Sequence, residues 1–211
     1  GFAKRLGPDK LAQRDASALA DELNAEVITH TQVTHLDVDN QTLHLSSGAT
    51  LRYDDVVLAT GAAPRRPFSV PSALAERCFT VNDLDDYRHL HEALTQPSRV
   101  AIIGAGLVGC EFANDLHAGG HQLTVIAPES APLPRLLPEP LGHALANAFH
   151  AAGIRLALGR SLDTLSQAAD NAVALHLDNG ERHAVDLVLF ATGLIPRTAL
   201  AEAAGLTVSA S

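Results

Sequence analysis

The sequence predicts an α/β fold built on a parallel β-sheet, and three observations support that class. From Val81 onward, helical stretches and apolar strands alternate, in the order helix, strand, helix, strand, helix, strand, hairpin, strand. The apolar run Arg99–Ile103 is followed at once by a glycine-rich turn, residues 104–109, and then by a helical stretch. A segment near the end of the chain also repeats an earlier one. Strands joined through helices run parallel, so a ligand site is expected at their carboxyl ends.

The chain before Val81 is read from its turn residues and its periodicity. Residues 8–24 are predicted to form a helix, and residues 26–57 are predicted to form strands joined by turns at residues 39–40 and 47–48. Residues 62–80 carry three prolines and are predicted to be a linker.

A 23-residue segment occurs twice, at residues 43–65 and 175–197, and the copies align without a gap. Both copies begin with Leu-His-Leu, contain one turn glycine, Gly48 or Gly180, and end in Ala-Thr-Gly-x-x-Pro-Arg. Each is predicted to form a strand, a tight turn, and an acid that leads into an apolar strand ending at a glycine. The 132-residue offset between the copies is too long for a solenoid unit, so the repeat indicates two related domains.

The glycine-rich turn has the G-x-G-x-x-G spacing of a dinucleotide fingerprint and consists of Gly104, Ala105, Gly106, Leu107, Val108 and Gly109. Gly104 would allow the tight turn, Gly106 would let backbone N–H groups approach a pyrophosphate, and Gly109 would let the helix pack closely on the strand. The positive end of the helix would face the phosphates. The alternative is that the glycines only form a tight turn between strand and helix.

The strand after this helix, Gln122–Ile126, is expected to end in an acid that binds the 2′-hydroxyl of the adenosine ribose. Ala127 occupies that position, and Glu129 follows two residues later. No Lys or Arg occurs between His121 and Pro134, and Glu129 would repel a 2′-phosphate. NAD is therefore favoured over NADP, with a solvated loop acid as the alternative for Glu129.

Together, GxGxxGxE after a strand and the two ATGxxP loops resemble the pyridine-nucleotide disulfide oxidoreductase superfamily, flavoprotein reductases with two dinucleotide sites. The resemblance spans nearly the whole chain. Three shorter stretches, residues 1–4, 82–87 and 109–115, are similar to bacterial rubredoxin–NAD reductases. The implied fold is a Rossmann-like NAD-binding domain, a parallel sheet with a β-hairpin insertion, plus part of a related FAD-binding domain.

The resemblance implies FAD and NAD as cofactors and assigns residues to the flavin nucleotide. Val33 would contact the FAD adenine through its main chain, and Thr60, Gly61 and Arg65 would lie at the flavin nucleotide. The alternative is that Thr60 and Gly61 only end a strand.

On the nicotinamide side, the resemblance implies that Gly193 lets the backbone approach NAD. It also places Glu111, as the catalytic residue, between flavin and nicotinamide. Glu111 is expected in the first turn of its helix, where the helix dipole favours a carboxylate even without a function. Cys110 is expected to be a small buried residue.

The implied activity is hydride transfer from NADH to FAD, followed by electron delivery to a small redox protein, with rubredoxin as the expected carrier. Rubredoxins are acidic, so docking would need basic residues gathered on one face; the candidates are Arg5, Arg14, Arg65 and Arg66. Ferredoxin, dioxygen or a nitrite-reducing partner remain alternative acceptors. A non-catalytic NAD-binding module is the alternative from another class.

Composition and charge exclude other functions. The net charge of −9 argues against nucleic acid or an anionic membrane surface as partner. No apolar run approaches the roughly 20 residues of a membrane span. Cys78 and Cys110 lie too far apart for a CxxC motif, so a cytoplasmic protein without structural disulfides is expected. The histidine pairs 89/91 and 143/150 lack helical i, i+4 spacing, so no metal site is expected.

The expected organisation is a partial FAD-binding domain and linker at residues 1–80, an NAD-binding domain at residues 81–205, and the return to the FAD domain at residues 206–211. The chain contains no Met and only one GxGxxG turn, whereas the superfamily has another near its amino terminus for FAD. An internal piece of a longer protein is therefore expected, one that is inactive on its own.

Overall fold

The computed structural model describes residue 2 and residues 7–66 and 69–209. Three of the four residues in the first short stretch that resembles rubredoxin reductases, Gly1, Ala3 and Lys4, lie outside these ranges. So do the candidate docking residue Arg5 and the last two residues of the chain.

The chain divides into two compact units. Unit 1 comprises Gly1–Leu11 and Pro64–Gly193, and unit 2 comprises Ala12–Ala63 and Leu194–Ser211. Residues 64–80 therefore belong to the same compact unit as the glycine-rich turn. The assignment of these units to flavin and nucleotide domains remains a prediction.

The helices and strands are named in chain order. The α-helices are α1 (Ala16–Leu23), α2 (Leu84–Ala93), α3 (Leu107–Ala118), α4 (Glu139–Ala151) and α5 (Ala199–Ala203). The strands are β1 (Val33–Asp37), β2 (Thr42–Leu45), β3 (Thr50–Arg52), β4 (Ala62–Pro64), β5 (Cys78–Phe79), β6 (Arg99–Ile103), β7 (Gln122–Ala127), β8 (Arg155–Leu158), β9 (Leu162–Gln167), β10 (Val173–Leu177), β11 (Arg182–Val185), β12 (Leu187–Phe190) and β13 (Leu194–Pro196). Short 3-10 helices occur at Pro8–Lys10, Ser72–Arg77 and Ala169–Asn171.

Unit 1 is built on a five-stranded parallel sheet in the order β5-β12-β6-β7-β8. Strand β6 is central, and its last residue, Ile103, pairs with Phe190 of β12 and with Ile126 of β7. Helix α3 connects β6 to β7, and helix α4 connects β7 to β8. The predicted α/β class is confirmed.

The two faces of this sheet bury different neighbours. Val100 and Ile102 of β6 join a buried cluster with residues of α2, α3 and α4. Ala101 and Ile103, which point to the other face, join a cluster with residues of β9, β10 and β11. Because β6 is buried on both faces, its sequence is apolar without alternation.

Strands β9, β10 and β11 form an antiparallel sheet in the order β11-β10-β9. The turn between β10 and β11 contains Gly180, whose φ of +85° suits glycine. This is the hairpin predicted from the second copy of the repeat.

In unit 2, strands β1, β2 and β3 form an antiparallel sheet in that order. The turn between β1 and β2 lies at residues 38–41, and the turn between β2 and β3 contains Gly48 with a φ of +86°. Both turns agree with the prediction. Strand β13 pairs with β4.

The predicted helix at residues 8–24 is wrong in its extent. Pro8–Lys10 form a 3-10 helix, and α1 begins only after Asp15. The Asp15 side chain accepts a hydrogen bond from the Ala18 N–H at 2.8 Å, so it caps a new helix there. Asn24, with a φ of +48°, ends α1 in the left-handed conformation.

The two copies of the repeat also differ, because the predicted apolar strand forms only in the second copy. There, β12 pairs with β5 on one edge and with β6 on the other. The equivalent residues 55–58 of the first copy form no strand, and Val57 is 89% exposed. The same local pattern therefore gives a strand only where neighbouring strands pair with it.

Candidate functional site

The glycine-rich turn lies at the carboxyl end of β6, as predicted. Gly104 donates its N–H to Ile126 O of the neighbouring strand at 2.8 Å. Gly106 is the N-cap residue of α3 and makes no side-chain cap, and Leu107 and Val108, which begin α3, are half exposed. The first N–H groups of a helix have no intrahelical acceptor, so they are available to an anion here.

The three glycines of the turn differ in what a side chain would meet. At Gly104, with a φ of +113°, a methyl group would lie 2.4 Å from Ala191 O, and at Gly109 it would lie 2.1 Å from Gly104 O. These two glycines are required by the packing of the turn. At Gly106, φ is −74° and a methyl group would have no atom within 4 Å. Gly106 therefore leaves open space in front of the helix, which fits the phosphates of a dinucleotide.

The turn is held in place by contacts to Ala105, which is buried. Ala105 O accepts hydrogen bonds from the Leu133 N–H at 2.8 Å and from Cys110 Sγ at 3.4 Å. Burial raises the pKa of the Cys110 thiol, so Cys110 stays protonated and acts as a hydrogen-bond donor. The expectation of a small buried cysteine is confirmed.

The end of β7 forms the next part of the site. Ala127 is buried, whereas Glu129 is exposed on the following loop. Gly159 donates its N–H to Glu129 O at 2.8 Å, and Arg160 donates its N–H to Ala127 O at 3.0 Å. Sequence reasoning missed Arg160 because it considered only residues near Ala127 in the chain. The order of strands in an alternating α/β chain could have indicated it, since β8 follows β7 in the sheet.

The expectation that Glu111 lies in the first turn of its helix is wrong. It is the fifth residue of α3, and the first turn of that helix contains no acid. The helix dipole acts within the first turn, so it gives no reason for this exposed carboxylate. The role that the family implies for Glu111, between flavin and nicotinamide, remains a prediction.

Gly193 lies close to the glycine-rich turn through the end of β12. Ala191 donates its N–H to Ile103 O at 2.8 Å. Ala191 O is also the atom that a side chain at Gly104 would clash with. Gly193 itself has a φ of +95° and no atom within 4 Å of an added methyl group. Gly106 and Gly193, where an added methyl group would meet no atom within 4 Å, therefore follow adjacent strands of the sheet.

Arg65 is tied to the segment around Gly193 within unit 1. The Arg65 N–H donates to Gly193 O at 2.9 Å, and the Thr192 hydroxyl donates to Arg65 O at 2.6 Å. The backbone N–H and C=O of Arg65 are therefore both hydrogen-bonded within this loop.

Thr60 and Gly61 make the equivalent contacts within unit 2. The Thr60 hydroxyl donates to Arg197 O at 2.7 Å, and the Arg197 N–H donates to Gly61 O at 3.0 Å. Thr60 corresponds to Thr192 in the repeat, and Arg197 corresponds to Arg65. The repeated Ala-Thr-Gly-x-x-Pro-Arg ending thus has a structural role in both copies.

The assignment of Val33, Thr60, Gly61 and Arg65 to FAD remains a prediction. Val33 begins β1 and pairs with Leu45, while Thr60 has its hydroxyl engaged. Among residues 12–63 and 194–209 of unit 2, no glycine-rich turn joins a strand to a helix. Such a turn is what binds a dinucleotide pyrophosphate in folds of this type.

Within the part of the chain that the structure describes, no group of three His, Cys, Asp or Glu residues could hold a metal ion. None of its described helices is long and apolar enough to span a bilayer.

Known proteins similar to this chain include rubredoxin-NAD(+) reductases and nitric oxide reductase FlRd-NAD(+) reductases. It is 36% identical over 208 residues to rubredoxin-NAD(+) reductase of Acinetobacter baylyi, covering 96% of this chain and 53% of that protein. It is 36% identical over 208 residues to nitric oxide reductase FlRd-NAD(+) reductase of Vibrio vulnificus, covering 98% and 53%. The chain spans about half the length of these curated relatives.

A solved structure agrees with these relatives. The reductase in the covalent putidaredoxin reductase–putidaredoxin complex has a TM-score of 0.86 and 30% identity, covering 99% of this chain and 51% of that one. Residues 3–211 match the family described as pyridine nucleotide-disulphide oxidoreductase. The predicted cofactors, FAD and NAD, are those of this family. The chain therefore belongs to the pyridine nucleotide-disulphide oxidoreductase family of FAD-dependent NAD(P)H oxidoreductases, as its motifs predicted.

Proposed function

We propose that this chain carries the NADH site of a flavoprotein reductase that passes electrons through FAD to a small redox protein. In this proposal, residues 1–80 are the flavin-domain part and linker, residues 81–205 bind NADH, and residues 206–211 return to the flavin domain. Both described cysteines are free, which fits the reducing cytoplasm as the compartment.

The observation that carries the proposal is the open space at Gly106. Gly104 and Gly109 are explained by packing alone, because a methyl group at either would lie under 3 Å from a backbone oxygen. Gly106 has no such neighbour and no positive φ, so packing within the chain does not require a glycine there. A ligand that comes close to the backbone does require one.

The residues of the turn would bind the dinucleotide as follows. The N–H groups at the start of α3 donate to the pyrophosphate, and the positive end of the helix attracts its charge. Ala105 is fixed by Leu133 and Cys110, so these donors are oriented before the ligand arrives. Glu129 accepts from the ribose 2′-hydroxyl.

On the nicotinamide side, Gly193 lets the backbone approach the ligand, and Glu111 contacts the nicotinamide end. When bound beside FAD, NADH supplies the hydride.

Rubredoxin is the proposed acceptor because a relative that shares 36% identity with this chain is named for it. A second relative at 36% is named for the FlRd of nitric oxide reductase, so a different small carrier is the nearest alternative. Of the candidate docking residues, Arg14 forms an ion pair with Glu22, and Arg66 donates to the Thr80 hydroxyl at 3.1 Å. Arg65 remains exposed and is the candidate for contact with an acidic carrier.

A second candidate function, a non-catalytic NAD-binding module, is favoured by one observation. The Thr60 hydroxyl and the backbone N–H and C=O of Arg65 are engaged in the two repeat loops, and no glycine-rich turn joins a strand to a helix among the described residues of unit 2. Flavin absorbance measured after FAD is added in excess, rather than flavin retained through purification, distinguishes the two functions. A chain that binds NADH but never FAD, even when FAD is added, would be the module.

The proposal is tested by titrating the chain with NADH in a calorimeter and repeating the titration with Gly106→Val. Valine would fill the open space, so we expect NADH affinity to fall by about a hundredfold or more, roughly 3 kcal/mol. Gly106 has a φ of −74°, so the variant avoids left-handed strain and its fold should be retained.

Gly7→Val is the matched control. Gly7 is also an N-cap residue, with a φ of −65°, and a methyl group there would have no atom within 4 Å. Gly7→Val should destabilise its helix N-terminus as much as Gly106→Val destabilises that of α3, but it should leave NADH affinity unchanged. If Gly106→Val binds NADH as the parent does, the turn is only a strand-to-helix connection and the proposal is rejected.

A further inference from the structure

Arg160 lies at the same edge of the sheet as the glycine-rich turn, although 54 residues separate it from Gly106 in the chain. Two backbone hydrogen bonds establish this. The end of β7 accepts from the Gly104 N–H at Ile126 O, 2.8 Å, and from the Arg160 N–H at Ala127 O, 3.0 Å. The first glycine of the turn and Arg160 therefore bind consecutive carbonyl groups of one strand.

Arg160 also follows directly after a residue that is hydrogen-bonded to Glu129, the acidic residue at this edge of the sheet. Gly159, which precedes it, donates its N–H to Glu129 O at 2.8 Å, and Ala127 pairs with Leu158 at the end of β8. Both Glu129 and Arg160 are exposed, so both charged groups face solvent at this end of the sheet. The Arg160 guanidinium donates to Gly159 O at 2.9 Å, which keeps it near its own backbone.

The position of Glu129 and Arg160 determines which part of a bound dinucleotide they would contact. In folds of this type, the residue at the end of the second strand contacts the adenosine ribose, where NADPH carries a phosphate and NADH a hydroxyl. Ala127 occupies that position and is buried without a polar group, so it cannot discriminate. The nearest charges carried by the chain segments bonded to it are Glu129 and Arg160.

We infer that Arg160 is a specificity-determining residue of this site, which offsets Glu129 and limits the preference for NADH over NADPH. The inference rests on the proposed function, since it requires a dinucleotide on the glycine-rich turn. Glu129 accepts from the 2′-hydroxyl of NADH and repels the 2′-phosphate of NADPH. Arg160 attracts that phosphate and has little effect on the uncharged hydroxyl.

The test compares NADH and NADPH binding by calorimetry for the unchanged chain and for three variants. Arg160→Gln should weaken NADPH about tenfold and change NADH by less than about twofold, since only NADPH carries the additional charge. Glu129→Gln should strengthen NADPH relative to NADH by a similar factor. Both effects should shrink at high salt, because exposed charges are screened.

Arg155→Gln is the control, because Arg155 is exposed at the opposite end of the same strand, β8. It removes the same charge and should leave the ratio of the two affinities unchanged. If Arg160→Gln also leaves that ratio unchanged while both dinucleotides bind, the inference is overturned and the dinucleotide site stands. If neither dinucleotide binds the unchanged chain, the proposed function fails and the inference fails with it.

Discussion

Val56 and Val188 are the same residue at the same place in the repeat, yet replacing each with alanine should have different consequences. Val188 is fully buried in the parallel sheet, where it pairs with Cys78 and Ala101. Removing its two methyl groups loses about 1.6 kcal/mol of transfer free energy, and the cavity left behind adds up to about 1 kcal/mol. Val188→Ala should therefore lower the free energy of unfolding of unit 1 by about 1.6–2.6 kcal/mol.

Val56 is 36% exposed and lies outside any strand, so Val56→Ala should cost under about 1 kcal/mol. Urea unfolding followed by circular dichroism measures both changes. With an m-value of about 2 kcal/mol/M, Val188→Ala should lower the midpoint by roughly 1 M and Val56→Ala by less than about 0.5 M. Equal shifts in the two variants would refute the conclusion that the two copies occupy different environments.

Three other outcomes are expected. The purified chain should not retain one FAD per molecule, because its described part contains no second glycine-rich turn for the flavin pyrophosphate; a stoichiometric flavin spectrum would contradict this. Asp186→Asn should destabilise unit 1 by about 1 kcal/mol at neutral pH, a value kept small because the Arg99–Asp186 pair is partly exposed. Hydrogen bonds from Arg99 lower the pKa of Asp186 below its ordinary 3.8. The difference in free energy of unfolding between parent and variant should therefore vanish as the pH falls through that lowered pKa. A difference that stays constant in acid would contradict this role of the Arg99–Asp186 pair. Burial lowers the pKa of His121 below 6.5, so its neutral form stabilises the fold above that pH and this stabilisation is lost on acidification. His121→Gln should therefore make the free energy of unfolding depend less on pH below 6.5. An unchanged pH dependence would disprove this role of His121.

The parts of the fold that the sequence predicted are those with a local cause. Strand β6 is apolar on both faces, and the glycines after it permit only a tight turn into a helix. The parts that were missed depend on distant neighbours. Strand β5 has two residues, Cys78 and Phe79, and forms inside the predicted linker because Val188 and Leu189 pair with it. The first repeat copy has the same pattern as β12 without such partners.

The candidate site shows the same division. The roles of Gly104 and Gly109 in packing followed from their spacing, and their short distances to Ala191 O and Gly104 O agree. Arg160 could not be found from spacing, because its position beside Ala127 depends on the pairing of β7 with β8. Glu111 was expected in the first turn but lies beyond it, because the helix already begins at Leu107, directly after Gly106.

The proposed function requires the glycine-rich turn after β6 to bind NADH through its backbone. Titration of the ¹⁵N-labelled chain with NADH, with each amide resonance followed, tests this requirement residue by residue. The amide signals of Gly106, Leu107 and Val108 should shift together and saturate at one NADH per chain, because these N–H groups face the pyrophosphate. If NADH binds to saturation while those three signals stay in place, the site lies elsewhere and the claim is contradicted.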